Sequence, residues 1–136
     1  MQQNNPDYYI ICGDFNLVLN PKIDSMNYKQ INKLKATCDI LNILDELNLV
    51  DCFQSSYPGL RRYTWRRPNP LKQAFLDYFL TSSSLTDLIN KSEVKPGYQS
   101  DHSFITLEII ETNLWLQNVF GSLIIICWKI KIISIL

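Results

Sequence analysis

Apolar residues along this chain fall into short unbroken runs, each stopped by a turn residue, and one longer stripe with helical spacing. Residues 8–12 are aromatic, β-branched or cysteine throughout and end at Gly13, the pattern of a strand covered on both faces. Residues 74–81 form a second such run with a single acid, Asp77, inside it, and residues 104–110 a third. Residues 62–67 hold a Tyr63-Thr64-Trp65 centre suited to a strand and are stopped by Pro68-Asn69-Pro70. Between 29 and 48, Ile31, Leu34, Cys38, Leu41, Leu44 and Leu47 recur every three or four residues, which predicts an amphipathic helix with that stripe on the core. Residues 17–24 read as a loop, 49–53 as a short apolar step, 55–59 as a turn, 82–90 as a short helix, and Pro96-Gly97 as the loop before the last strand. The strands near 8–12, 62–67, 75–81 and 104–110 are expected to form one sheet with the helix packed on it.

Composition narrows this picture only slightly. The chain has 136 residues, room for one domain or part of one, and at 46% hydrophobic it has enough apolar material to exclude wholesale disorder. Thirteen basic and thirteen acidic residues cancel, so net charge argues for neither a nucleic-acid nor a membrane partner. The distribution is more informative: all four arginines, Arg61, Arg62, Arg66 and Arg67, lie with Lys72 inside twelve residues. The four cysteines form no Cys-x-x-Cys pair, so zinc-site spacing is absent and free thiols are expected. Residues 1–7 are polar and carry no secretory signal, and the chain opens as if in mid-domain.

Three segments could carry chemistry. Gly13-Asp14-Phe15-Asn16 follows a buried strand, and an acid and an amide two apart there share a face and can address one site. A turn in which Asp14 and Asn16 satisfy local backbone groups is the alternative. Asp77 needs a partner if it is buried; otherwise it is an outward-facing residue on an edge strand. Ser100-Asp101-His102-Ser103 contains the only histidine, a side chain that bonds phosphate and transfers protons near neutrality, although a lone surface histidine would look the same. Together, several acids with a histidine and no cysteine ligand suit a hard ion such as Mg²⁺ and phosphate chemistry.

Gly13-Asp14-Phe15-Asn16, Tyr63-Thr64-Trp65-Arg66, Leu76-Asp77-Tyr78-Phe79-Leu80 and Ser100-Asp101-His102-Ser103 occur in the order found in the endonuclease/exonuclease/phosphatase superfamily. More narrowly, the stretch from Arg61 to Ala74 looks like part of the apurinic-type endonuclease domain of LINE-type (non-LTR) retrotransposon polyproteins, and the resemblance runs over residues 7–110. The resemblance implies an α/β fold, the C-terminal half of a four-layer α/β sandwich with two sheets face to face and helices outside. It implies that Asp14 activates the attacking water, that Asn16 hydrogen-bonds that water or the phosphate, and that His102 stabilises the scissile phosphate while Asp77 orients it. Asp101 would help hold Mg²⁺, and Arg62, Thr64 and Arg66 would lie along DNA. The implied products are a 3′-hydroxyl and a 5′-phosphate at a nick. Phe75 departs from the family, which usually has a basic residue there. The family's first-strand Asn, its principal metal-binding Glu and its catalytic Tyr and His have no counterpart, since Asp24, Asp39, Asp45, Glu46 and Asp51 fall in loop or helix. The expectation is a truncated Mg²⁺-dependent DNA endonuclease domain, inactive as written. Its partner is DNA, it has no small-molecule cofactor, and its location is intracellular, nuclear if functional. The alternative is a non-catalytic remnant that contacts nucleic acid through its arginine-rich stretch.

The domain is expected to span residues 1–112, leaving 113–136 as a separate tail in which thirteen of the last eighteen residues are apolar without a steady period. About 20 apolar residues would span a bilayer. Lys129 and Lys131, however, sit in the most apolar part, and a lysine at a span centre costs roughly 2.5–3.5 kcal/mol, so membrane attachment is not expected. As a core element the tail lacks a face to bury. The third reading is out-of-frame translation: an A/T-rich coding of residues 119–133, shifted by two bases, reads as a Trp-Lys-Phe-Asn-Asn segment similar to one that follows the retrotransposon endonuclease domain. The tail is therefore expected to be unstructured or non-native. Sequencing the encoding DNA checks this, since a shifted frame without that segment rules out the frameshift.

Overall fold

The computed structural model describes residues 8–29, 33–110, 122–127 and 131–135, the last two segments in backbone only apart from Cys127. It is a mixed α/β chain, mostly antiparallel sheet with few helices. The first apolar run forms β1 (Tyr8–Asp14) and carries on through Gly13 to the acid. The expected loop at 17–24 contains a one-turn helix, α1 (Pro21–Asp24), begun by a proline whose missing N–H is harmless at that position. Then come β2 (Ser25–Met26), α2 (Leu34–Glu46), β3 (Leu49–Asp51) and α3 (Cys52–Ser56), the last capped by the Asp51 carboxylate, which accepts from the Phe53 and Gln54 amides. The order continues with β4 (Trp65–Arg67), β5 (Lys72–Ala74), β6 (Asp77–Ser82), a 3₁₀ helix (Ser83–Leu88), β7 (Ile89–Lys95), β8 (Phe104–Ile110), β9 (Ser122–Cys127) and β10 (Lys131–Ile135).

The strands form three sheets rather than the single sheet expected, in the orders β10-β1-β6-β3, β2-β5-β4 and β7-β8-β9. The cause lies in the run 74–81, which is two strands. At Phe75 and Leu76 the chain leaves one ladder for another: the Phe75 amide donates to the Asp24 carbonyl, and the Leu76 carbonyl accepts from the Phe15 amide. The chain thereby passes from beside β4 to a place between β1 and β3. Strand β6 is interior and buried at every position, which removes the edge-strand reading of Asp77. One apolar cluster joins the first and third sheets, with Ile10 and Cys12 of β1 and Phe79 and Leu80 of β6 in the same body as Ile105 and Leu107 of β8. Strand β7 was not expected; its outward side is polar, with Lys91 and Lys95 paired to Glu93, while Ser92 and Val94 are buried and Ile89 packs on the core.

The helix and the tail each differ in part from expectation. Helix α2 is present, but Thr37, Ile40 and Leu44 lie on its less exposed side and Ile40 and Leu44 pack on the core, whereas Leu34 is 78%, Leu41 45% and Leu47 46% exposed. The buried face is rotated about a quarter turn from the apolar stripe, because the helix meets β3 and the core from the side. The expected first turn, with Ile31, lies outside the described residues. In the tail, expected to be unstructured or non-native, two segments pair as strands: β9 lies antiparallel on β8 from Ile105↔Cys127 to Ile110↔Ser122, and β10 on β1 from Tyr8↔Ile135 to Cys12↔Lys131. Isoleucine-rich runs have high strand propensity, and each meets a sheet edge that otherwise leaves N–H and C=O groups unpaired. Among the described residues no helix is long and apolar enough to cross a membrane.

Burial leaves one acid in tension. Asp24 is 1% exposed; its Oδ2 accepts from the Asn20 amide at 3.1 Å, while Oδ1 has no hydrogen-bond partner among the described residues. Burial pushes its carboxyl up to about 6, and burial does the same to Asp51 against the pull of its two cap amides. Both start from 3.8 when unperturbed. A folded-state value above the unfolded one means that folding favours the protonated form. The stabilisation is complete below about pH 4 and is lost as pH rises through about 6. The urea midpoint is expected to fall between about pH 4 and pH 7, a loss of about 1–3 kcal/mol, and Asp24→Asn is expected to flatten that fall in the same titration.

Candidate functional site

The β1–β6 ladder ends with Asp14 directly across from Asp77. Two carboxylates on one rung repel, and His102 lies between them. Its Nδ1 is 3.0 Å from Oδ2 of Asp77, a hydrogen bond, and its Nε2 is 3.9 Å from Oδ2 of Asp14, too far for one. The row runs outward from Asp77, a tenth exposed, to His102 and Asp14, each about a third exposed or more. Burial raises the Asp77 pKa; hydrogen bonds from Thr64 and His102 pull it back down, and the Asp14 charge adds to the rise. A cavity of about 220 Å³ opens over the three side chains, with Phe104 and Cys127 in its wall.

Each member is held from a different direction. On Asp14, Oδ1 accepts from the Asn16 amide at 2.7 Å, the local turn expected of such a residue, which leaves Oδ2 on the side of His102. Asn16 takes a left-handed backbone at φ 52, its carbonyl receives the Lys33 ammonium, and it is exposed, outside the residues that line the cavity. His102 is fixed because residues 101–103 run along 64–66: the Ser103 amide donates to the Thr64 carbonyl, the Arg66 amide to the Asp101 carbonyl, and Trp65 bridges His102. Gly97 lies so close beneath that a Cβ there would run into the His102 carbonyl.

Two of the expected roles change. Thr64 is fully buried, and its hydroxyl oxygen accepts from the amides of Leu76 at 2.9 Å and Asp77 at 3.2 Å, so it pins the sheet switch instead of lying along DNA. Asp101 stands outside the acid–histidine row. Its Oδ2 accepts from the Trp65 indole at 2.9 Å, because an indole N–H beside it needs an acceptor. Among the described residues, Asp14, Asp77 and His102 offer ligand atoms within 4.8 Å of one another, a possible metal-binding group of three. Arg62 and Arg66 are exposed, as are Arg61, Arg67 and Lys72. Beside them Tyr28 and Trp65 meet edge to face, ring centres 5.6 Å apart, and line a cavity of about 780 Å³ with Arg67 and Lys72.

Sequence reasoning missed three positions: Trp65 as the anchor of the histidine turn, Gly97 as the floor beneath it, and Thr64 as an internal pin. For the tryptophan alone there was a usable signal, a donor-only ring in a strand with an acid in the next motif. No protein-family model matches the sequence.

Thr64→Val is expected to leave two buried amides without their acceptor and to destabilise the fold by about 1–3 kcal/mol in urea unfolding, with Thr64→Ser close to the parent. Gly97→Ala is expected to displace the His102 carbonyl and break the Asp77–His102 hydrogen bond, seen as a change in the imidazole ¹⁵N shifts.

Proposed function

We propose that this chain carries the phosphate-binding part of a Mg²⁺-dependent DNA endonuclease site, in a fold that is the C-terminal half of a four-layer α/β sandwich, as its resemblance to retrotransposon endonuclease domains implies. The observation that supports the reading is the Asp77–His102–Asp14 row. With Nδ1–H given to Asp77, the imidazole turns Nε2 toward the cavity; in the imidazolium form that nitrogen also carries a proton, which it can donate to a phosphoryl oxygen to stabilise the charge that develops there. Oδ2 of Asp14, free of the local turn, can take a proton from a water approaching that phosphorus, and the exposed Asn16 is assigned, from the resemblance, a hydrogen bond to the same water or the phosphate.

Mg²⁺ prefers an octahedron of oxygens, and the side chains here meet that only in part. Asp14 offers Oδ2, Asp77 has its Oδ2 in the hydrogen bond with His102, and Asp101, outside the group of three, has its Oδ2 in the hydrogen bond from Trp65. When bound, the ion would neutralise phosphate charge next to Asp14. With so few oxygens to hold it, catalysis by this chain alone is weak, since loss of one comparable stabilising group lowers kcat by about 10²–10³. A second reading, a non-catalytic remnant that holds nucleic acid, draws on the exposed arginines and on the Tyr28–Trp65 cavity, a basic and aromatic surface of the kind single strands stack on.

Titrating the ¹⁵N-labelled protein with a short DNA duplex separates the two. On the endonuclease reading the His102 imidazole signals move and Asp14→Asn alters that response. Mg²⁺-dependent nicking of supercoiled plasmid is expected to be slow and lost in His102→Ala. Shifts confined to residues 61–72, with His102 unmoved, would favour the remnant.

A further inference from the structure

Helix α2 presents an apolar side that no described residue covers. Leu34, Cys38 and Leu41 are exposed at spacings of four and three, a single line along the helix, away from Ile40 and Leu44, which meet the core. The two ends of the same helix carry opposite charge: Lys33 and Lys35 at the start and Asp45 and Glu46 at the end, with Asp39 between them, no acid in the first turn and no base in the last. That is the reverse of what the helix dipole favours. No side chain caps the N-terminus. The Lys33 ammonium reaches the Asn16 carbonyl, but Lys35, Asp45 and Glu46 make no ion pair among the described residues. Nothing among the described residues compensates this arrangement.

A second α2 laid antiparallel does. It sets the acidic end of one helix over the basic end of the other, opposes the two dipoles and covers both apolar lines. We infer that this chain self-associates through a two-fold, antiparallel α2–α2 contact. An axis passing between Asp39 and Ile40 puts Cys38 against the partner's Leu41 and Lys35 within reach of the partner's Asp45 and Glu46. Because one helix carries both charges, the surface is complementary to itself, as a closed dimer requires. The apolar line is short, so the association is weak and depends on concentration and salt. The inference does not depend on any nuclease activity.

Sedimentation velocity of the full chain over a concentration series at low salt tests it. The expected result is a monomer–dimer equilibrium whose dissociation constant rises about tenfold in Lys35→Glu and returns toward the parent value in the combined Lys35→Glu, Asp45→Lys, Glu46→Lys variant. Leu41→Glu is expected to be monomeric. These side chains are exposed, and circular dichroism confirms that each variant is folded; if Leu41→Glu fails to fold, the charge reversal and its rescue still decide. A monomer at every concentration overturns the proposal. So does association indifferent to Lys35→Glu, or a folded triple variant that does not re-associate.

Discussion

Two carboxylates on one rung of an antiparallel ladder form the constraint around which this structure is arranged. Asp14 and Asp77 face each other because β1 pairs with β6 in that register, and a shift by one residue would separate them. Left alone they would repel in a partly buried place. The imidazole of His102 between them turns that repulsion into an ordered row, with a hydrogen bond on the buried side and an open gap on the solvent side. The chemistry proposed for the site depends on that asymmetry: a histidine bonded equally to both acids would have no nitrogen left for a ligand.

Keeping His102 there takes more of the chain than the site itself. The switch of sheets at Phe75 and Leu76 delivers Asp77 to the interior strand, and the Thr64 hydroxyl holds the two amides where the switch occurs. The same threonine, through its carbonyl, receives the amide next to the histidine. One buried residue thus ties the acid's strand to the histidine's turn. Trp65 continues the tie by donating to the Asp101 carboxylate.

The C-terminal strands bear on the site as well. By pairing with β8, β9 carries Cys127 into the cavity wall beside His102, and β10 covers the outer edge of the strand that ends in Asp14. Apolar runs without amphipathic period can do this because strand pairing asks only for backbone groups and β-branched side chains, not for a patterned face.

Local pattern alone settled several features. The runs at 8–12 and 104–110 are strands, a helix follows the first of them, and Asp14, Asp77 and His102 stand out as acids and a histidine at strand ends. These depend on neighbours in the chain, and so the sequence displays them. The pattern could not show which side of α2 is buried, since periodicity reports an apolar face and not what it meets. Nor could it show that one apolar run divides between two sheets, because the break at Phe75 and Leu76 is made by hydrogen bonds to Asp24 and Phe15, some fifty residues away. The reversal of roles at Thr64 and Asp101 has the same origin. A hydroxyl or a carboxylate is committed by whichever donor the fold brings to it, and those donors, Leu76, Asp77 and Trp65, reach it only once the chain has folded.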